Sequence, residues 1–136
     1  QLRKRHVDQR VSSIAKLPNV RKVLVSQQRI IAGSNDIVMV GRDIGTIVLP
    51  RAKHKFYLTA SLEVRAERRY KEFTGFRTKI LYDEILLEME ERDRVDKSRK
   101  DSPIKPAEDA VTVDTTEMSF ETAVGTILNV IEGTIT

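Results

Sequence analysis

At 136 residues, 40% apolar and 32% charged, the chain has the size of one domain and the profile of a soluble globular protein. The absence of cysteine excludes disulfides and thiolate metal sites, and two separated histidines, His6 and His54, do not suggest zinc. A formal charge of +4 favours anionic partners only slightly. With no apolar run near roughly 18 residues and no opening signal segment, a cytoplasmic protein without membrane contact is expected.

Residues 3–15 read as a helix, with Val7, Val11, Ile14 and Ala15 on one side and Arg3, Lys4, Arg5 and Arg10 as a solvated face. The chain opens QLRKRHVDQRV, without Met and inside this expected helix, which predicts a fragment, a processed product or a chain with an earlier part. Pro18 closes the first segment and suits the first turn of a second helix reaching about Ala32. Val20, Val23, Leu24, Gln27, Ile30 and Ile31 give its spacing, although VRKVLV also has strand propensity.

Gly33, Ser34, Asn35 and Asp36 form a turn signal. Ile37, Val38, Met39 and Val40 follow as an apolar run that fits a central strand of a parallel sheet. The run ends in GRDIG. Ligands of parallel α/β sheets sit beyond the carboxyl ends of strands. Arg42 and Asp43 stand there between Gly41 and Gly45, whose missing side chains permit a tight turn or a close ligand. Arg42 suits bidentate phosphate binding and Asp43 suits hydrogen bonds from a base or sugar, while a structural Arg–Asp pair fits the same residues.

Residues 55–59 read as a second strand, with Ser61 as cap of the next helix. Arg65, Arg68 and Arg69 lie on that helix, as surface residues by composition. A densely charged helix is expected over 82–100, with Ile85, Leu86 and Met89 as its apolar stripe. Its end, 88–101, holds six acids and five bases, and is expected as either a solvated helix with local ion pairs or a mobile arm closing over charge. Arg92, Asp96 and Arg99 share one face, where they fit either a phosphate clamp or ordinary exposed pairs. Pro103 and Pro106 stiffen the approach to a third strand over 110–114, and Asp109 is placed to cap or pair nearby backbone. Ser119 is the expected N-cap of a last helix that buries Ala123, Ile127, Leu128 and Ile131. Strands alternating with helices predict an α/β layer fold with right-handed crossovers.

Other chemistry lacks its signals. The sequence holds no Gly-Lys-Ser/Thr phosphate loop, no Ser/His/Asp arrangement and no carboxylate–histidine metal pattern. Nucleic acid is not the expected partner, because bases and acids intermingle and aromatics do not interleave with them.

Together, VSSIAKLPNVRKVLVSQQR, IVMVGRDIGTIVLPRAKHKFYLTASLEVRAERR, ERDRVDKSR and SPIKPAEDAVTVDTT resemble bacterial cytidylate kinases in order and spacing, over nearly the whole chain. The resemblance implies a P-loop NTPase-like parallel sheet with helices on both faces, incomplete without an N-terminal strand. Residues 1–136 would be a partial nucleoside monophosphate kinase core with a helical lid at about 70–100. It further implies phosphoryl transfer from ATP to CMP or dCMP with Mg2+, a transferase step of pyrimidine metabolism. Carried over by position, Ser12, Arg21 and Asp43 read the cytosine ring and Arg42 grips the CMP phosphate. Arg92 and Arg99 are lid arginines that reach the phosphates, Asp96 bonds the sugar hydroxyls, and Arg68 stands near ATP.

The family's opening strand, Gly-Lys loop and a further phosphate-binding arginine have no counterpart here, so this chain alone is expected to be inactive. The alternatives are another small-molecule or nucleotide kinase of this fold, or a non-catalytic fragment that binds anions or nucleic acid through the Arg3 to Arg10 segment.

Overall fold

A computed structural model describes residues 14, 17–34, 36–75, 81–97 and 105–133. The chain divides into two units, Gln1–Pro50 and Arg51–Thr136. The expected helix over 3–15 lies outside the described residues apart from Ile14.

In the first unit, helix α1 spans Pro18–Gly33, with proline in its opening turn and Leu17 extended before it. The Arg21 amide donates to Leu17 O at 2.9 Å, giving the first turn the bond that fixes its direction. The strand propensity of VRKVLV loses to helix. None of α1 is fully buried, and Val23, Leu24, Ile30 and Ile31 stay exposed.

The central strand expected from Ile37, Val38, Met39 and Val40 is not formed. These residues have no regular structure, and Val38 and Val40 are 93% and 91% exposed. A strand exists by pairing, and among the described residues no neighbour offers this run a ladder. The chain then tightens into a π-helical turn, Ile44–Val48, whose Val48 is buried.

The second unit holds strands β1, Phe56–Thr59, and β2, Val111–Asp114. They pair in parallel, with Phe56 opposite Val111 and Thr59 opposite Asp114. The described residues thus hold a helix-rich α/β set of elements with one two-stranded parallel sheet, smaller than the sheet expected. A parallel pair requires a long crossover, and here it carries α2, Leu62–Gly75, and α3, Tyr82–Lys97. Ser61 caps α2 as expected, its Oγ accepting from the Val64 amide at 3.3 Å.

The buried centre of this unit includes Ala66 of α2 and Ile85 of α3, packed by Tyr70, Phe73, Tyr82, Leu86 and Met89. Alanine at 66 lets the helices approach, and the stripe Ile85, Leu86 and Met89 faces inward as its spacing predicts. The Tyr70 and Tyr82 rings meet edge to face at 6.1 Å.

Helix α4, Phe120–Ile131, begins at the expected cap: Ser119 Oγ accepts from the Thr122 amide at 3.1 Å. Its stripe is less covered than expected. Ala123 and Ile127 are half-buried, whereas Leu128 and Ile131 are exposed. Periodicity sets an apolar face but does not supply the surface that covers it. No described helix is long and apolar enough to cross a membrane.

Candidate functional site

In the first unit the candidate site grows from the GRDIG stretch. Gly41 to Asp43 bend before the π turn. A Cβ on Gly41 would stand 2.9 Å from Ile44 Cγ1, so the missing side chain makes room for Ile44. Asp43 O then accepts from the amides of Ile47 at 2.8 Å and Val48 at 3.2 Å, and Leu49 N donates to Ile44 O at 2.7 Å. These bonds wind the turn tightly around Asp43.

The Asp43 carboxylate is held by Arg21 of α1, Nη2 bonding Oδ2 in an ion pair. The two side chains are 30% and 21% exposed, so the pair is partly shielded from water. Two of the three residues expected to read a base are therefore neighbours in space although 22 positions apart. The third, Ser12, lies outside the described residues. Arg42 is exposed at the bend beside Asp43, whose carboxylate Arg21 engages.

A second arginine of α1 went unnoticed in the sequence. Arg29 Nε donates to Val48 O at 2.9 Å and Nη2 to Ile47 O at 2.7 Å. The only sequence signal was its position eight residues beyond Arg21, which returns the helix to a similar side after two turns.

In the second unit, bonds gather at the carboxyl ends of the parallel strands. The Thr115 amide and Oγ1 both donate to Thr59 O, at 2.8 and 3.0 Å. Thr116 donates through its amide and hydroxyl to Asp114 Oδ1, at 2.9 and 2.6 Å, while its Oγ1 accepts from Ser61 N at 3.0 Å. The Thr116 hydroxyl, then its amide, holds the Asp114 carboxyl below the usual carboxylate range. Arg68, expected near ATP, is engaged here: Nη1 donates to Thr115 Oγ1 at 2.9 Å and Nη2 to Thr115 O at 2.6 Å.

On α3, Arg92 is exposed whereas Asp96, one turn later, is only 1% exposed. The alternative of a solvated helix over 88–101 fails at this residue. Residues four apart differ by about 40° around a helix, enough for one to face solvent and the other the interior at the edge of a packed face. Asp93 is tied to α2 by a bidentate pair, Arg65 Nη1 and Nη2 to its two carboxylate oxygens at 3.2 and 2.7 Å. Arg65 Nε also donates to Ala60 O at 3.0 Å. Arg65, expected as a surface residue, and Asp93, with no expected role, thus join the two helices. Arg99 lies outside the described residues.

Asp109, expected to cap or pair nearby backbone, also bonds a side chain. Lys55 Nζ, on a nearly buried side chain just before β1, reaches its oxygens at 2.6 and 2.8 Å. Among the described residues no group of three or more His, Asp or Glu can hold a metal ion. No described residue is therefore assigned as a ligand for the Mg2+ that the resemblance implies.

Residues 1–133 match the family model for cytidylate kinase. A cytidylate kinase of Caldanaerobacter subterraneus subsp. tengcongensis is 48% identical over 91% of this chain and 55% of its own length. That of Fusobacterium nucleatum is 42% identical over 96% of the chain and 60% of its own, and that of Listeria monocytogenes 46% over 96% and 58%. The chain thus spans somewhat over half the length of these curated relatives.

Proposed function

The chain belongs to the cytidylate kinase family, and from that premise we propose that it carries the acceptor-binding residues for phosphoryl transfer from ATP to CMP or dCMP in a full-length cytoplasmic kinase. A phosphate oxygen of CMP attacks the γ-phosphorus of ATP in line. One P–O bond forms as the bond to the β-phosphate oxygen breaks, and CDP and ADP leave. The attacking oxygen already carries charge at neutral pH, so no strong general base is required.

Arg42 grips the acceptor phosphate, and Arg92 and Arg99 offset the charge that spreads over the transferring group. Asp43, with Arg21 and Ser12, reads the cytosine. Its carboxylate accepts from the exocyclic amino group, and because a carboxylate has about four lone-pair sites this is compatible with the bond to Arg21. Asp96 accepts from the sugar hydroxyls once its carboxylate, buried in this structure, is uncovered to the nucleotide. Arg68 serves the ATP side only by sharing a guanidinium already bonded to Thr115. The P-loop NTPase fold and Mg2+ with ATP follow from the family, and every step assigned above belongs to this chain's own side chains.

The observation that carries this reading is the Arg21–Asp43 pair, which joins two residues that the resemblance assigns to the base. The 136 residues contain no Gly-Lys-Ser/Thr loop, and we propose that the chain by itself does not turn over CMP. The test is ATP-dependent turnover of CMP, dCMP, UMP and AMP by the full-length protein and its Arg42→Ala variant. CMP and dCMP should lead, and Arg42→Ala should lose roughly 10²-fold in turnover. Preference for AMP would discard the base assignment, and a fully active Arg42→Ala protein would discard the phosphate role.

A further inference from the structure

The turn that presents Asp43 is fastened to α1 at both ends. At its start Arg21 holds the Asp43 carboxylate. At its finish Arg29 holds two successive carbonyls, Ile47 O at 2.7 Å and Val48 O at 2.9 Å. Carbonyls at the end of a helical turn lack the amide partners that a continuing helix would give them. Arg29 supplies donors there from a planar, rigid fork, so two bonds fix the direction of the chain as well as its distance. A lysine at this position has one rotatable ammonium and cannot impose the same plane. The two arginines stand about 12 Å apart along α1, and between them they fix the course of the whole turn.

We propose that Arg29 is a positioning residue for base specificity: by clamping the carboxyl end of the turn, it fixes where the Asp43 carboxylate faces and so sets discrimination of CMP from UMP. This rests on the reading of Asp43 as the acceptor for cytosine. Cytosine offers an amino donor where uracil offers a carbonyl oxygen. A carboxylate in register bonds the first and repels the second, and displacement by a fraction of an ångström weakens both effects. Arg42, beside Asp43, grips a phosphate that CMP and UMP share, so any displacement of it cancels in their ratio and the loss specific to Asp43 falls on selectivity.

The experiment compares kcat/KM for CMP and UMP in the full-length protein and its Arg29→Met, Arg29→Lys and Asp43→Asn variants. Arg29→Met should lower the CMP-to-UMP ratio roughly tenfold, mainly through KM for CMP, with KM for ATP unchanged. Arg29→Lys should fall between, and it decides the matter by the same ratio if the methionine variant does not fold. An unchanged ratio in the Arg29 variants, beside a collapsed ratio in Asp43→Asn, overturns the role of Arg29 alone. An unchanged ratio in Asp43→Asn overturns the base reading and this inference with it.

Discussion

Asp109 shows how one carboxylate can tie two strands at the residue scale. It receives Lys55, just before β1, from a position just before β2. The bond to Lys55 holds the Asp109 carboxyl below its ordinary value of 3.8. The folded form therefore releases its proton at lower pH than the unfolded form. The pair stabilises the fold above about pH 3.8, and that contribution is lost as pH falls through the folded value. Asp109→Asn should remove part of the acid-dependent loss of stability, measured by denaturant unfolding from about pH 5 down through the folded value. An acid limb identical to the parent's would show that the pair contributes nothing. Single residues were unevenly legible. Asp43 stood out through its motif and Arg21 only through the family resemblance, but Arg29 is one of 24 basic residues and its value lies in carbonyls that sequence does not display. Asp96 was placed on a charged, solvated arm because composition does not tell which of several acids a packed helix turns inward.

Packing decides stability at the scale of elements. Ile85 is 2% exposed between α2 and α3, so Ile85→Ala removes buried methyl groups and leaves a cavity beside Ala66. We expect a loss of about 2–5 kcal/mol in unfolding free energy. A loss below about 1 kcal/mol, as at an exposed site, would contradict the packing of these helices. The Arg65–Asp93 pair joins the same helices but is about one-third exposed at each end, so its worth is nearer ~1 kcal/mol or less. The helices were legible because their signals are local: Pro18 at an opening turn, Ser61 and Ser119 as caps, and the stripe of Ile85, Leu86 and Met89. The run Ile37 to Val40 was not, because apolar β-branched residues make a strand only beside a partner. The stripe of α4 was half legible for the same reason, since its period was correct and its cover was not.

Across the whole molecule, the family was legible through order and spacing of motifs, while the structure adds geometry within each unit. The chain spans 55–60% of the length of the first relatives it matches, and the catalytic cycle proposed for it belongs to the full-length protein. Within that cycle, the proposed reading of cytosine rests on the Arg21–Asp43 pair. The most direct measurement is the ratio of kcat/KM for CMP to that for UMP before and after Asp43→Asn. Asparagine offers an amide donor as well as an acceptor, so the ratio should fall by roughly 10²-fold as the site loses its preference for an amino group. A ratio that stays where it was would show that the base is read elsewhere.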